Sequence, residues 1–356
     1  MGNPRAGRRH DYVEEHGAAA VKVISRLSVA LLWALAAQAG QAAAADPAIQ
    51  KMVRQVSPDR IAATVKTLAG FGTRGNYSNP NQQSRGIGSA RRWIFDQFQG
   101  YSARLEVSYD TARQGSTEVV SVIAVLPGVA EPEKRILVTA HYDSINQRDK
   151  AAEAPAPGAD DDASGVGVVL ELARVMSQYR FRKTIVFIAF AGEEIGLLGS
   201  THYASRARAA NERIEAVFNN DIVGANVVGI THNIIDGGDD DTAGPDGETG
   251  NRLRVYAPES ADSASRRLAL VVEDAAARYV PGLKIDLISS ADRFGRTGDQ
   301  APFQSHGFAA VRLTSASEDT ASQHTANDLP EGVSPAFAAN VARVNGAAIA
   351  SLARRL

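Results

Sequence analysis

Residues 135–141 read Arg-Ile-Leu-Val-Thr-Ala-His, and residues 184–190 read Thr-Ile-Val-Phe-Ile-Ala-Phe. Both runs are continuously apolar rather than alternating, which is typical of strands that are covered on both faces. Between them, residues 164–179 carry apolar side chains at helical spacing. A strand, a helix and a second strand in this order predict a mainly parallel sheet with helices packed against it.

The rest of the chain continues this alternation of strands and helices. Further strands are predicted at residues 213–223, 252–257, 283–288 and 309–313, and further helices at residues 195–206, 262–279 and 334–352. We therefore expect an α/β fold, a three-layer α/β/α sandwich with a central mixed, mainly parallel sheet. In such sheets a ligand binds beyond the carboxyl ends of the strands, where His141, Glu193 and Asp221 fall.

The composition narrows the class of protein. The chain has 356 residues, of which 44% are hydrophobic, and a formal net charge of −2, as expected for a globular protein with ample core. The chain has no excess of Lys and Arg, so its charge does not favour a nucleic acid or an anionic surface as partner. The chain contains no cysteine, which excludes disulfides and thiolate zinc sites. Because it shows neither a repeat nor a linker, we expect residues 46–356 to form one domain.

The amino terminus has the pattern of a secretory leader. Lys22 and Arg26 precede an apolar run at residues 27–37, and the three alanines at 43–45 stand directly before Asp46. A charged region, an apolar core and an Ala-x-Ala cleavage signal together predict a signal peptide. The mature protein would then begin near Asp46 and be secreted or periplasmic, without a stable membrane anchor.

We place the leader at about residues 21–45 and treat residues 1–20 as an upstream extension, since they are charged and lack periodicity. An incorrectly assigned start codon is our hypothesis for that extension. The alternative to cleavage is an uncleaved anchor, because residues 27–45 nearly reach the length of a membrane span. Their second half is mostly Ala with two Gln, which makes a weak lipid-spanning segment.

Five short segments supply imidazole and carboxylate groups, most of them at the end of an apolar run. In chain order they are His141-Tyr142-Asp143, residues 158–165 (Gly-Ala-Asp-Asp-Asp-Ala-Ser-Gly), Glu193-Glu194, Asp221 and His324. A hard divalent metal site with nitrogen and oxygen ligands would use such a set. Taken singly, each segment also fits a turn, a helix start or a polar residue at an element boundary. Their joint order favours the metal site.

The residue types suggest a division of roles. His141 ends a strand, where a neutral imidazole is a good zinc ligand, and Asp143 can accept its other ring N–H. The consecutive aspartates at 160–162 would repel each other unless a cation lay among them, although the last also fits a helix N-cap. Adjacent Glu193 and Glu194 could act as one base and one ligand, or open a helix as a solvated pair.

The motifs His-x-Asp, Gly-Ala-Asp-Asp-x-Ala-Ser-Gly, Glu-Glu-x-Gly, Asn-x-Asp and His-Thr-x-x-Asp occur here in this order. From about Val119 to the carboxyl terminus the chain resembles the di-zinc exopeptidases of clan MH, most closely the secreted bacterial leucine-aminopeptidase family. The resemblance implies that residues 46–356 are a zinc peptidase catalytic domain with two Zn²⁺. It also implies a cis peptide bond after the bridging aspartate. The ligands it implies are His141 and Asp221 for one zinc, Glu194 and His324 for the other, and Asp161 for both.

The resemblance also implies a reaction. Glu193 would accept the proton of the attacking water and pass it to the leaving amine. An acidic pocket would receive the free α-amino group of a peptide substrate, which makes an aminopeptidase the expected activity. A related carboxypeptidase or amino-acid deacylase is the alternative, since Arg293, Arg296 and Arg312 lie close enough in sequence to hold a carboxylate. A single-zinc glutaminyl cyclase and a non-catalytic binding protein fit the complete residue set less well.

Two segments depart from the pattern of the relatives. Some relatives have a Tyr before the last His, where this chain has Gln323, whose amide N–H is a candidate donor to the oxyanion. Relatives often have Ser-Asp-His ahead of an aromatic residue, where residues 298–303 read Gly-Asp-Gln-Ala-Pro-Phe. We expect Asp299 and Phe303 to line the substrate pocket.

A further acidic segment lies at residues 236–248. It is rich in the oxygen ligands that Ca²⁺ prefers, which makes it a candidate calcium site. It lacks the regular spacing of an EF-hand loop, and a solvated acidic loop is the simpler interpretation.

Overall fold

The computed structural model describes residues 44–224, 251–258, 260, 263–290, 292, 296–354 and 356. From Ala45 onwards these residues group into one unit by their contacts. The predicted leader up to residue 43, the candidate calcium segment at 236–248 and Arg293 lie outside the described residues.

A mixed sheet of eight strands runs through the described residues. The strands are β1 (Glu106–Gln114), β2 (Thr117–Leu126), β3 (Glu131–His141), β4 (Lys183–Phe190), β5 (Arg213–Asn220), β6 (Arg252–Tyr256), β7 (Lys284–Ile288) and β8 (Ala310–Ser315). In space they follow the order β1-β2-β4-β3-β5-β8-β6-β7.

The centre of the sheet is parallel. β3 pairs in parallel with β4 on one side and with β5 on the other, and β5 pairs in parallel with β8. The hairpin of β1 and β2 joins β4 in antiparallel fashion, and β6 runs antiparallel to β8 while it pairs in parallel with β7. The prediction of a mixed, mainly parallel sheet is confirmed.

Helices connect and cover the strands. They are α1 (Pro47–Val53), α2 (Pro58–Gly70), α3 (Gly86–Tyr101), α4 (Gly165–Met176), α5 (Leu198–Ala209), α6 (Ala264–Tyr279), α7 (Gln300–Ser305) and α8 (Pro335–Ala353). A π-helical turn at Ala159–Ser164 leads directly into α4. Among the described residues, no helix combines the length and the apolar character that crossing a membrane requires.

Alternate residues of β3 enter two different cores. Ile136 and Val138 belong to the larger core, which β3 shares with α4 and α8. Leu137 belongs to the smaller core, together with Tyr203 of α5 and Phe303 of α7. Because side chains alternate between the faces of a strand, a strand with helices on both faces must be apolar throughout. The predicted three-layer α/β/α sandwich is confirmed, and it explains the continuous apolar run.

The helix predicted at residues 195–206 begins later than expected, at Leu198. The segment before it turns instead, with the amides of Gly196 and Leu197 each donating to the Glu193 carbonyl at 3.0 Å. Leu197 adopts a positive φ of 59° at this turn. The turn keeps Glu193 and Glu194 out of the helix and leaves them beside the end of β4.

No element was predicted for residues 46–118, yet the structure has α1, α2, α3 and β1 there. Their buried side chains, such as Ile61 of α2 and Phe98 of α3, belong to the larger core. This region therefore completes one helical layer of the sandwich.

Candidate metal centre

The predicted ligands meet at one edge of the sheet. His141 is the last residue of β3, Asp221 follows β5 directly, and Glu193 and Glu194 follow β4 after a short turn. His324 lies in the segment after β8. Since β4, β3, β5 and β8 are neighbours and run parallel, their carboxyl ends deliver these side chains to the same place.

Two groups of potential ligand atoms share Asp161. His141, Asp161 and Asp221 form one group, and Asp161, Glu194 and His324 form the other, with the ligand atoms of each group within 4.8 Å of one another. Asp161 Oδ1 lies 3.2 Å from His141 Nε2, and Asp161 Oδ2 lies 2.9 Å from His324 Nε2. One carboxylate thus faces both groups, an arrangement suited to bridging two metal ions.

The donor atoms fit a pair of divalent ions. The groups offer only imidazole nitrogen and carboxylate oxygen, a set that zinc accepts. Glu194 Oε2 lies 3.3 Å from His324 Nε2, while Glu194 Oε1 is buried without a hydrogen-bond partner. A buried acceptor without a donor is costly unless a cation or water satisfies it. Metal binding would supply that missing partner.

The crowding of carboxylates has electrostatic consequences. Burial raises the pKa of Glu194 well above its usual value, and the charges of Asp161 and Glu193 add to the effect. Burial also raises the pKa of Glu193, with further contributions from Asp221 and Asp299. Burial opposes ionisation of Asp161, but its hydrogen bonds with His141 and His324 outweigh this and hold its pKa well below the usual range. Dications placed among these groups would relieve the repulsion.

Asp143 positions the residues around it in the metal centre. It is fully buried, and its carboxylate accepts hydrogen bonds from the backbone N–H of Glu193 at 3.4 Å and of Glu194 at 3.2 Å. Asn76 Nδ2 donates to the same carboxylate at 2.6 Å. The oxygen nearest to His141 Nδ1 is the backbone carbonyl of Asp143 at 3.1 Å, whereas the carboxylate Oδ1 is at 3.6 Å. Asp143 therefore contacts the imidazole mainly through its main chain and uses its carboxylate to position the Glu-Glu pair.

The aspartate cluster adopts an unusual backbone. The peptide bond between Asp161 and Asp162 is cis, as the resemblance implies. Asp162 Oδ1 accepts hydrogen bonds from the N–H groups of Gly165 at 3.0 Å and Ile222 at 3.3 Å, and Asp162 Oδ2 accepts one from the His141 N–H at 3.1 Å. Asp162 thus ties the ends of β3 and β5 to the start of α4, while its neighbour Asp161 faces the histidines.

Two residues that hold the cluster were not predicted. Asp328 accepts hydrogen bonds from the N–H groups of Asp160 at 2.9 Å and Asp161 at 3.0 Å. The guanidinium of Arg74 is completely buried and donates to the carbonyls of Tyr142 at 2.6 Å, Gly158 at 2.8 Å and Pro157. Asp328 is the last residue of the His-Thr-x-x-Asp motif, so its place in that motif could have identified it. Arg74 lies upstream of every motif, and no sequence signal marked it.

The described arginines considered for a terminal carboxylate already have acidic partners. Arg312 Nε lies 2.9 Å from Asp221 Oδ2, and its Nη1 donates to Asp292 Oδ2 at 2.8 Å. Arg296 Nη1 pairs with Glu318 Oε2 at 3.0 Å. Arg312 therefore acts within the site as a buried partner of a predicted metal ligand.

The residues predicted to contact substrate have different surroundings. Gln323 Nε2 donates to Glu318 Oε2 at 3.0 Å, and its role as a donor to the oxyanion stays a prediction. Asp299 is fully buried, and burial raises its pKa to about 7. Phe303 is also fully buried, but its ring packs in the smaller core against Phe190 and Tyr203 at centroid distances of 6.2 and 6.0 Å. Because α7 turns this ring towards α5, Phe303 contributes to the smaller core, and its contact with substrate stays a prediction.

Comparison with known proteins identifies the family. Residues 121–349 match the peptidase family M28. A probable zinc metalloprotease of Pyricularia oryzae is 37% identical over 339 residues, which cover 86% of this chain and 66% of that protein. The chain belongs to peptidase family M28. It is therefore a member of a zinc peptidase family, and it spans about two thirds of the length of that curated relative.

Proteins of known structure with the same fold are named for more than one activity. LapB from Legionella pneumophila superposes with a TM-score of 0.68 at 22% identity, over 86% of this chain and 75% of LapB. An aminopeptidase from Aneurinibacillus sp. strain AM-1 has a TM-score of 0.62 at 18% identity, over 86% and 97% of the two chains. A glutaminyl cyclase from Porphyromonas gingivalis has a TM-score of 0.62 at 21% identity, over 83% and 99%. These likenesses show the fold alone.

Proposed function

We propose that this family M28 protein is a co-catalytic di-zinc aminopeptidase that hydrolyses the amino-terminal peptide bond of peptides. One observation carries the proposal. The two carboxylate oxygens of Asp161 face two different histidines, each within a separate group of ligands. A site built around one shared carboxylate is suited to two metal ions that act on the same bond.

The ligand assignment follows from these two groups. His141 and Asp221 would hold one zinc, Glu194 and His324 the other, and Asp161 both. When bound, zinc would lower the pKa of a water molecule to about 7 and polarise the scissile carbonyl.

Glu193 is the general base in this proposal. It belongs to neither ligand group, and the Asp143 carboxylate fixes its backbone N–H. The pKa of Glu193 is raised by burial and by the nearby carboxylates, which makes it a better proton acceptor than an exposed glutamate. Glu193 would take the proton of the attacking water and return it to the leaving amine.

The surrounding charges favour an amine over a carboxylate as the recognised end of the substrate. Asp299 adds a further buried carboxylate beside Glu193 and Asp221. Arg296 and Arg312 each have a carboxylate at about 3 Å or less, although the Glu318 carboxylate beside Arg296 also pairs with Arg254. A carboxypeptidase would need an arginine free for bidentate contact with a terminal carboxylate. Among the residues that the structure describes, this charge distribution supports the aminopeptidase over the carboxypeptidase or the deacylase.

The proposal includes the compartment. The signal peptide predicted at about residues 21–45 supports a secreted or periplasmic protein whose substrates are extracytoplasmic peptides with a free amino terminus. Amino-terminal sequencing of protein recovered from the periplasm or medium tests this. A first residue near Asp46 supports the proposal, and an intact leader in membrane fractions contradicts it.

Three blocked substrates test the activity. We expect hydrolysis of Leu-Gly-Gly-amide, whose amino terminus is free, and none of acetyl-Leu-Gly-Gly or acetyl-leucine. Cleavage of acetyl-Leu-Gly-Gly at its carboxyl end would indicate a carboxypeptidase, and release of acetate from acetyl-leucine a deacylase. If the zinc-loaded protein cleaves none of them, a binding role on the peptidase scaffold replaces catalysis. Glu193→Gln, prepared identically, controls for a contaminating peptidase.

A further inference from the structure

A cavity of about 270 Å³ opens beside the Glu194 end of the metal centre. One wall is the segment at residues 73–77, which precedes the matched family region, and the other is the loop at residues 144–154. Glu194 and Ile195 line it where it meets the metal centre. The cavity therefore reaches from the surface to a predicted zinc ligand.

The cavity wall contains aliphatic residues beside polar and charged ones, among them Asp149 and Lys150. Ile145 and Ile195 contribute branched side chains, and Ala152 lies at the exposed side. Tyr77 also lines the cavity, although the residue is 67% exposed. An exposed aromatic ring beside an apolar cavity is typical of a site that covers part of a ligand. The aliphatic side chains and the Tyr77 ring provide a surface for an apolar side chain of the substrate.

Two hydrogen bonds, one from each wall, connect the cavity to the metal centre. Asn76, which lines it, donates from Nδ2 to Asp143, the residue that also holds the amides of the Glu-Glu pair. Gln147, in the opposite loop, donates its backbone N–H to the His324 carbonyl at 2.8 Å. Both walls are therefore anchored to residues of the metal centre, which fixes the cavity relative to the scissile bond.

The charges decide which part of the substrate the cavity receives. Asp299, a buried carboxylate that is not assigned as a ligand, follows Gly298, where an added Cβ would lie only 2.7 Å from Asp221 Oδ2, so a substrate ammonium is favoured on the side of Asp221. A different cavity of about 290 Å³, lined by Arg312, Arg296 and Asp292 among others, lies on that side. With the amino-terminal residue bound there, the residue after the scissile bond extends towards Glu194.

We propose that the cavity between residues 73–77 and 144–154 is the subsite for the side chain of the second substrate residue, and that it selects aliphatic side chains. The inference rests on the proposed aminopeptidase activity. Filling an apolar pocket by a side chain of this size changes kcat/KM by about 10-fold or more. We therefore expect Leu-Leu-amide to be cleaved about 10-fold more efficiently than Leu-Gly-amide.

Two variants and one matched control test the subsite. Ala152→Trp would fill the cavity, so the ratio of kcat/KM for Leu-Leu-amide over Leu-Gly-amide should fall towards one. Ile145→Asp would place a carboxylate in the wall and should shift the preference towards Leu-Lys-amide. Ala209→Trp is the control, because Ala209 is exposed and ends α5, at the strand edge opposite the metal centre. Each ratio is measured on one preparation, so partial misfolding cancels.

Leucine amide has no second residue, so its hydrolysis distinguishes a failure of the proposed subsite from a failure of the proposed aminopeptidase activity. Hydrolysis of leucine amide with wild-type ratios in both cavity variants overturns the subsite and leaves the aminopeptidase standing. A ratio near one in the wild-type enzyme does the same. If neither leucine amide nor the dipeptide amides are cleaved by the zinc-loaded enzyme, the proposed function fails and the subsite fails with it.

Discussion

Glu193 and Glu194 are adjacent in sequence, yet the structure gives them different surroundings. Glu194 is a member of a ligand group, with Oε2 at 3.3 Å from His324 Nε2 and Oε1 buried without a partner. Glu193 belongs to neither group. Glu193→Gln should therefore keep both metal ions and lose only the proton acceptor. The expected loss of kcat is about 10²–10⁴-fold, the usual scale of general acid–base catalysis.

Glu194→Gln should behave differently. The amide keeps the shape of the side chain but loses the negative charge that a dication needs in this position. We expect a lower occupancy of one metal site and an activity that depends on added zinc. Both substitutions remove a carboxylate whose pKa is raised by burial and by its neighbours, so neither should lower the melting temperature of the metal-free protein.

The assay measures metal content by elemental analysis and kcat on the same dialysed samples, with Glu118→Gln as an exposed control. Glu118 pairs with Arg113 at 2.6 Å, and both side chains are about half exposed or more, so its loss should change neither quantity. The reasoning is refuted if Glu193→Gln loses metal while Glu194→Gln keeps it and loses only rate. If both variants retain full metal and full rate, the Glu-Glu pair has no catalytic role.

Three further predictions concern the metal and its supports. A chelator should abolish activity and zinc or cobalt should restore it; full activity in protein shown to be metal-free would contradict the proposed chemistry. His141→Ala and Asp221→Ala should each lower the metal content, and unchanged stoichiometry in both would mean that the site is misassigned. Arg74→Met leaves three carbonyls without their donor, so the free energy of unfolding should fall by roughly 3 kcal/mol or more. Arg85→Met, at a side chain that is 41% exposed, is the control for chemical denaturation, and equal stability of the two variants would refute this role.

The sequence predicts the centre of the fold because a strand that is buried on both faces consists mainly of apolar residues. Each residue from Ile136 to Ala140 is buried, and the run in β3 is apolar except for Thr139, whose hydroxyl donates to Asn219 Oδ1 at 2.8 Å. In β4 the residues from Ile185 to Phe190 are all apolar and buried. The ligand groups could be found for a related reason. Parallel strands bring their carboxyl ends to one edge, so polar residues that follow buried strands are candidates for one site.

Other features depend on contacts that the sequence does not encode locally. Arg74 binds carbonyl oxygens, and any residue type can supply a carbonyl, so its partners leave no pattern in the sequence. The burial of Phe303 depends on the orientation of the short helix α7 against α5, which the segment alone does not specify. The turn at Leu197 delays α5 although the apolar spacing continues through it.

The supports of Asp161 also set when a newly made chain can acquire its metal. The loop of Asp161 is held from upstream by Arg74 and from downstream by Asp328, and the ligands themselves extend from residue 141 to residue 324. A chain still on the ribosome that ends before residue 324 lacks a ligand of one group, and one that ends before residue 328 lacks the acceptor that fixes the shared carboxylate. Under the proposed ligand assignment, the complete site can therefore assemble only after residue 328 has been synthesised, when the strands that carry the other ligands are already complete.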